Sequence, residues 1–237
     1  MEYFYVPPDC IHGDQVTVEG DEFVHLTHVM RKESGDQIWI VDGVANAYEA
    51  TIREITRRTA LCTIFRHEVR LHESPVDVIL GAGILKNSAR FDFLVEKATE
   101  LGVRRIVPLQ TERTIPRHAK CERWQKLALA AMKQSGRCIL PSVGPLTRLQ
   151  DFVNEVKTGA RCFMLHEQFR TPLPPADVAE GTIAVCVGPE GGFSAEEAEE
   201  ALMAGFQLAG LGPRRLRTET AAIAAMSRLL AVGPPVE

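Results

Sequence analysis

Two short bends in this sequence concentrate chemistry. The first, "VGPEGGFSAEE", Val187 to Glu197, sets Gly188, Gly191 and Gly192 around Pro189 and Glu190, between an apolar run and an acidic helix start. A plain turn needs one glycine. Three allow positive φ and let backbone N–H and C=O groups come close to a ligand. Neither G-x-G-x-x-G nor G-x-x-x-x-G-K-[ST] is present, and Glu190 with the acidic helix behind it would serve a diphosphate poorly. The bend suits a neutral or cationic ligand; a tight strand–helix turn is the plainer alternative. The second bend, "LGPRRLRTETAA", Leu211 to Ala222, crowds Arg214, Arg215 and Arg217 beside another helix start. That end of a helix already carries partial positive charge. Three guanidinium groups there point to an anionic partner, or to negative charge that develops in a reaction. Thr218 or Thr220 can cap the helix.

The elements that must carry these bends alternate strand and helix. "VDVILGAGIL" is a continuous apolar run, as expected of a strand buried on both faces. "SARFDFLVEKATELG" spaces Phe91, Leu94, Val95, Ala98 and Leu101 for a helix that stops at Gly102. "VRRIVPLQ", "ARCFMLH", "TIAVCVG" and "FQLAGLG" read as strands, and "CERWQKLALAAMKQS" as a helix ended by Gly136. "SAEEAEEALMAG" is a helix with a Ser194–Glu197 capping box, and "TETAAIAAMSRLLAVG" a closing helix. This order predicts a parallel sheet covered on both faces, with both bends at the carboxyl ends of strands, where open α/β proteins bind ligands. "TPLPPADVAEG", Thr171 to Gly181, is a proline-stiffened loop. Before "HESP", at residues 72–75, the pattern differs. "DQVTVEG", "DQIWIVDG", "ANAYEATIREI" and "TALCTIF" alternate apolar and polar residues, interrupted by a short helix from Asp21, and predict a small barrel-like β domain.

Composition excludes several classes. Of the 237 residues, 45% are hydrophobic and 24% charged, with a formal net charge of -4. The bulk charge does not signal nucleic acid, but residues 73–150 carry +6 while the flanking thirds carry -5 each. The middle region is either a solvated helix surface or a phosphate-facing patch. None of the six cysteines forms a C-x-x-C pair, so a zinc knuckle and a metal site are not expected. Cys62, Cys162 and Cys186 lie in apolar runs and read as core. The N-terminus lacks a basic start and an apolar stretch, and no apolar run approaches about 20 residues, so neither a secretory leader nor a membrane span is expected.

The two bends together, with "HVMRKESGDQI", "LKNSARFDFLVEKATELGV", "QTERTIP" and "AMKQSGRCILPSV" in that order, closely resemble the RsmE family along almost the whole chain. Met30 stands where that family usually has leucine, and Arg215 where it has an aliphatic residue. The resemblance implies an S-adenosyl-L-methionine-dependent enzyme that methylates N3 of a uridine in 16S ribosomal RNA of the small subunit. It implies a PUA-like β-barrel domain over 1–72 and a SPOUT α/β domain over 73–237 whose C-terminal segment threads a trefoil knot. A homodimer with its site near the subunit interface follows from the same likeness, and the cysteine usage fits a reducing cytoplasm. Carried over by position, the donor pocket comprises Leu165, His166, Glu167, Val187, Gly188, Pro189, Gly191, Gly192, Leu211, Gly212, Leu216, Thr218, Thr220 and Ala221. Leu165, Leu211 and Leu216 would contact the adenine, and Glu190 would either sit near the cationic end or cap the following helix.

Methylation at N3 requires loss of the N3 proton, which spreads negative charge onto the flanking carbonyl oxygens. An arginine aimed at that charge favours the transition state over the ground state. Arg137 is the first candidate and Arg217 the second. Glu190, Glu100, Glu219 or solvent could take the proton; for Glu100 a structural salt bridge is the competing role. Arg31 and Lys32 in the first domain, and Lys86, Arg113, Arg117 and Lys120 in the basic middle region, are candidate phosphate contacts. His25 and His28 read as packing or capping residues, His166 as a pocket or turn residue, and Trp39 and Trp124 as core. Two other readings stay open on sequence grounds: a SPOUT methyltransferase acting on another RNA, or a non-catalytic RNA-binding assembly factor of the same fold.

Overall fold

The computed structural model describes residues 2–169, 171–175 and 181–230. Residues 176–180 of the proline-stiffened loop and 231–233 of the expected closing helix lie outside them. The chain forms two compact units, Met1–Glu73 with Ala130–Leu140, and Ser74–Leu129 with Pro141–Glu237.

In the first unit the strands are β1 (Tyr3–Tyr5), β2 (Ile11–His12), β3 (Gln15–Glu19), β4 (Gln37–Val41), β5 (Asn46–Ile55) and β6 (Thr59–Val69). Among the described residues they make one six-stranded sheet in the order β1-β4-β5-β6-β3-β2, antiparallel except for β1 beside β4. The sequence alternation finds four of these strands; β1 and β2 are too short to show a period. Phe4, Val16, Val18, Leu26, Ile40, Ile52 and Cys62 form the core, and burial pushes the Cys62 thiol up to about 11. The short helix α1 (Gly20–Val24) does not run on as an α-helix: His25–Val29 widens into a π-turn, with Met30 N–H bonded to His25 O at 2.9 Å. Thr27 Oγ1 donates to Phe23 O at 2.8 Å, a side-chain bond that bends helices.

Residues 130–140, expected in the second domain, cluster with the first unit. Glu73 explains this. Its carboxylate accepts the Arg137 guanidinium at 2.8 Å and the backbone N–H groups of Cys138 and Ile139 at 3.1 and 2.9 Å. Leu140 N–H bonds to Gly43 O and Ala45 N–H to Cys138 O.

The second unit contains β7 (Val76–Gly83), α2 (Ser88–Glu100), β8 (Arg105–Gln110), α3 (Cys121–Ser135, whose last residues fall in the first unit), β9 (Ser142–Val143), β10 (Thr147–Arg148), α4 (Leu149–Val156), β11 (Arg161–Leu165), β12 (Gly181–Val187), α5 (Ala195–Met203), β13 (Gln207–Ala209) and α6 (Thr218–Leu230). The sheet among described residues is parallel throughout, β10-β8-β7-β12-β11-β13, with β9 also on β8. α4 is absent from the sequence reading, although Leu149, Phe152, Val153 and Val156 keep helical spacing and are buried. Phe91 of α2 packs on Trp124 of α3 with ring centroids 4.3 Å apart, and Trp124 Nε1 donates to Asp92 Oδ1 at 2.9 Å. α5 has the expected capping box: Ser194 Oγ accepts the Glu197 N–H and the Glu197 carboxylate accepts the Ser194 N–H. Its other oxygen accepts the Glu112 N–H at 2.8 Å, tying α5 to the loop after β8. The strands β12, β11 and β13 are neighbours, with Met164 beside Cys186 and Leu165 beside Ala209. Their carboxyl ends therefore open at one place.

Candidate functional site

At that end lies a cavity of about 700 Å³ within the second unit. Three bends wall it: the loop after β11, the loop after β12, and the segment from β13 to α6. Leu165, His166, Glu167, Val187, Gly188, Pro189, Gly191, Gly192, Leu211, Gly212, Leu216, Thr218 and Ala221 all line it. Thr220 does not. A helix advances about 100° per residue, so Thr218 and Ala221 share a face of α6 while Thr220 points away, exposed. Neither threonine caps α6; Thr218 Oγ1 donates instead to Gly188 O at 2.9 Å.

The loop after β12 is held from several sides. Gly192 N–H closes a turn on Pro189 O at 2.9 Å. Arg113 Nη1 donates to Gly191 O at 2.8 Å. Glu190 Oε1 accepts the Lys86 N–H at 3.2 Å. Behind the loop, a Cβ on Gly83 would stand 2.4 Å from Pro189 N, so the end of β7 admits only glycine there. On the cavity side the glycines serve conformation. Gly192 (φ +69) and Gly212 (φ +103) occupy the left-handed region, and a Cβ on either would meet open space. Cys186, one position before Val187, is fully enclosed in β12; burial pushes its thiol far up, and it packs rather than reacts.

Of the three catalytic candidates the cavity brings in two, Arg217 and Glu190. Arg137 is not among the residues that line it: it is 2% exposed, belongs to the first unit, and its guanidinium is engaged by Glu73. Arg214, Arg215 and Arg217 all line the cavity. Arg215 makes a long, exposed pair with Glu167 at 3.4 Å, while Arg214 and Arg217 have no ion-pair partner among the described residues. Among the RNA candidates, Arg113 turns out to line the cavity and brace Gly191. Lys86, Arg117 and Arg31 are exposed, and Lys120 donates to Ser88 Oγ at 3.2 Å. Glu100 accepts from Lys97 Nζ at 2.7 Å and is a helix salt bridge, not a cavity group. His166 lines the cavity edge-on to Phe169. His25 lies tilted against Phe4, ring centroids 5.6 Å apart, and His28 bonds to Thr27 Oγ1.

Sequence reasoning missed Arg90 and the α5 wall of Ala195, Ala198, Glu199 and Leu202. The signal for Arg90 was present: a cation in the first turn of α2, where the helix dipole disfavours it. Chemically the site offers a neutral, glycine-shaped floor, leucine side chains, and two guanidinium groups, Arg214 and Arg217, without an ion-pair partner among the described residues. Among the described residues, no cluster of His, Cys, Asp and Glu could hold a metal ion, and no helix is long and apolar enough to cross a membrane.

Comparison with known proteins agrees with this geometry. The RNA methyltransferase domain family matches residues 72–230, and the RNA methyltransferase PUA domain family matches residues 18–65. The chain is 33% identical to the ribosomal RNA small subunit methyltransferase E of Neisseria gonorrhoeae, whose crystal structure is bound to S-adenosyl methionine. That likeness covers 96% of this chain and 95% of the other, with a TM-score of 0.85. A Legionella pneumophila methyltransferase in complex with the same cofactor is 31% identical, with a TM-score of 0.83 over 98% of this chain and 97% of that one. The ribosomal RNA small subunit methyltransferase E of Synechocystis is 30% identical over 96% of this chain and 76% of that protein.

Proposed function

Because this chain belongs to the ribosomal RNA small subunit methyltransferase E family, we propose that it methylates N3 of a uridine in 16S ribosomal RNA. It is an S-adenosyl-L-methionine-dependent ribosomal RNA methyltransferase with an N-terminal PUA-like RNA-binding domain. The observation that carries the reading is the convergence of Leu165–Glu167, Gly188–Gly192 and Leu211–Ala221 on one cavity.

The residues present fit the donor. The open space before Gly192 and Gly212 leaves room for a nucleoside against the backbone, and Leu165, Leu211 and Leu216 supply apolar contact for its base. When bound, the donor supplies an electrophilic methyl group on a cationic sulfonium. Arg217, which lines the cavity without an ion-pair partner among the described residues, faces the charge that grows on the pyrimidine carbonyl oxygens as N3 loses its proton. Glu190, tied to Lys86 N–H and lining the cavity, accepts that proton or faces the sulfonium in this reading. Exposed Arg31, Lys86 and Arg117 contact RNA phosphates.

The same reading carries finer terms. Residues 1–72 form the RNA-holding domain and 73–237 the SPOUT domain with its trefoil knot. The enzyme works in the cytoplasm as a homodimer, on the assembled 30S particle or on the naked RNA. Calorimetry with S-adenosylmethionine, followed by methyl transfer to 30S subunits and nucleoside mass spectrometry, tests this. Donor binding and 3-methyluridine are expected. A protein that does not bind the donor, or a methyl group found on another atom, would end the proposal; light scattering reads the dimer.

A further inference from the structure

Glu219 lies in the first turn of α6 with its side chain 10% exposed. Its Oε1 stands 3.1 Å from Nε of Arg90, and its Oε2 is buried without a hydrogen-bond partner among the described residues. Burying a carboxylate with one oxygen unsatisfied is costly. Its partner is no better placed for stability, since Arg90 opposes the dipole of α2. The dipole of α6 favours Glu219 in its first turn, but the unsatisfied oxygen and the cation that answers it call for a reason other than stability.

The reason lies one contact further on. Nη1 of the same guanidinium is 3.8 Å from Glu190 Oε1, the oxygen that also accepts the Lys86 N–H. Arg90 and Glu190 line the cavity, whereas Glu219 does not. The Arg90 and Glu190 side chains are 26% and 42% exposed. An ion pair that open to water has little rigidity of its own, because two long side chains must both be ordered to keep it. Anchoring Arg90 from its buried side removes that freedom. Glu219 provides the anchor, on the helix that begins at the cavity residue Thr218.

We propose that Glu219 is a positioning residue: through Arg90 it holds the Glu190 carboxylate in its orientation at the cavity. Methyl transfer depends on it, although it touches neither donor nor RNA. This rests on reading the cavity as the donor site with Glu190 in a catalytic role. Without the Glu219 charge, Arg90 swings into solvent and Glu190 keeps only the Lys86 N–H.

The test is a double-mutant cycle. Glu219→Gln keeps the shape and removes the charge. Turnover on 30S subunits and affinity for S-adenosylhomocysteine are measured for wild type, Glu219→Gln, Glu190→Gln and the double variant. Glu219→Gln is expected to lower turnover about tenfold, with donor affinity within about twofold of wild type. In the Glu190→Gln background the same change is expected to do nothing more, because its route is already cut. Losses that multiply in the double variant overturn the proposal, as does an equal fall in affinity and turnover. Should Glu219→Gln fail to fold, Arg90→Gln at its partly exposed site enters the cycle instead. Wild-type protein that transfers no methyl group overturns both this inference and the reading beneath it. Transfer by wild type with independent losses overturns this inference alone.

Discussion

Arg217 and Arg137 look alike in the sequence: each is basic, each follows a glycine-containing bend, and each could be aimed at an oxyanion. The structure separates them by partner. Arg137 meets a carboxylate 64 positions away, and nothing local to "QSGRCILP" announces that pairing. Replacing Arg137 with alanine leaves the Glu73 charge buried beside two backbone N–H groups and no cation. It is expected to destabilise the first unit by about 3–5 kcal/mol, read by urea denaturation. A stable variant with collapsed turnover would return Arg137 to catalysis. Arg217 has the opposite profile. Arg217→Ala is expected to leave S-adenosylhomocysteine affinity near wild type and to lower single-turnover methyl transfer about 100- to 1,000-fold. Unchanged transfer would remove Arg217 from the reaction. Glycine content and arginine crowding drew attention to the bends at 188–192 and 211–217, whereas Leu165 came in only through the resemblance; all three segments line one cavity. Residue types and spacing could not show contacts that depend on what lies across the fold: Arg113 braces Gly191, and the helix turns Thr220 away from the cavity.

Elements with a complete local signal were legible. "SAEEAEEALMAG" announces its cap, and the structure builds it from Ser194 and Glu197 as read. That cap also reaches Glu112, so its loss is felt beyond α5. Ser194→Ala is expected to cost about 1 kcal/mol of second-unit stability, measured by chemical denaturation. A variant as stable as wild type would show that Glu197 holds the junction unaided. α3 was legible over its full length because its apolar period is unbroken. α4 was overlooked because it is short and directly abuts the two-residue strand β10, leaving no turn to punctuate it. The π-turn at His25–Val29 was not readable, since nothing in the spacing shows that Thr27 Oγ1 turns back to Phe23 O while Leu26 is buried in the core.

For the molecule as a whole, the charge map carries the most information. A protein of net charge -4 that binds RNA must do so through a local field, and residues 73–150 supply it with +6. If Lys86 and Arg117 each release a counterion from RNA, Lys86→Ala and Arg117→Ala are each expected to lower the slope of log affinity against log salt by about 0.7–0.9. Filter binding over a salt series measures this, and an unaltered slope excludes the residue from the RNA face. The unit boundary was only partly legible. "HESP" marks it along the chain, but the return of 130–140 to the first unit is written in Glu73, whose sequence neighbours give no hint of it. One small feature reaches further than its size. Since position 83 bears no side chain, the tip of β7 and the ring of Pro189 rest against each other with nothing between them. Drift at either stretch is felt at once by the other, so in lineages of this enzyme the two are expected to change in step or not at all.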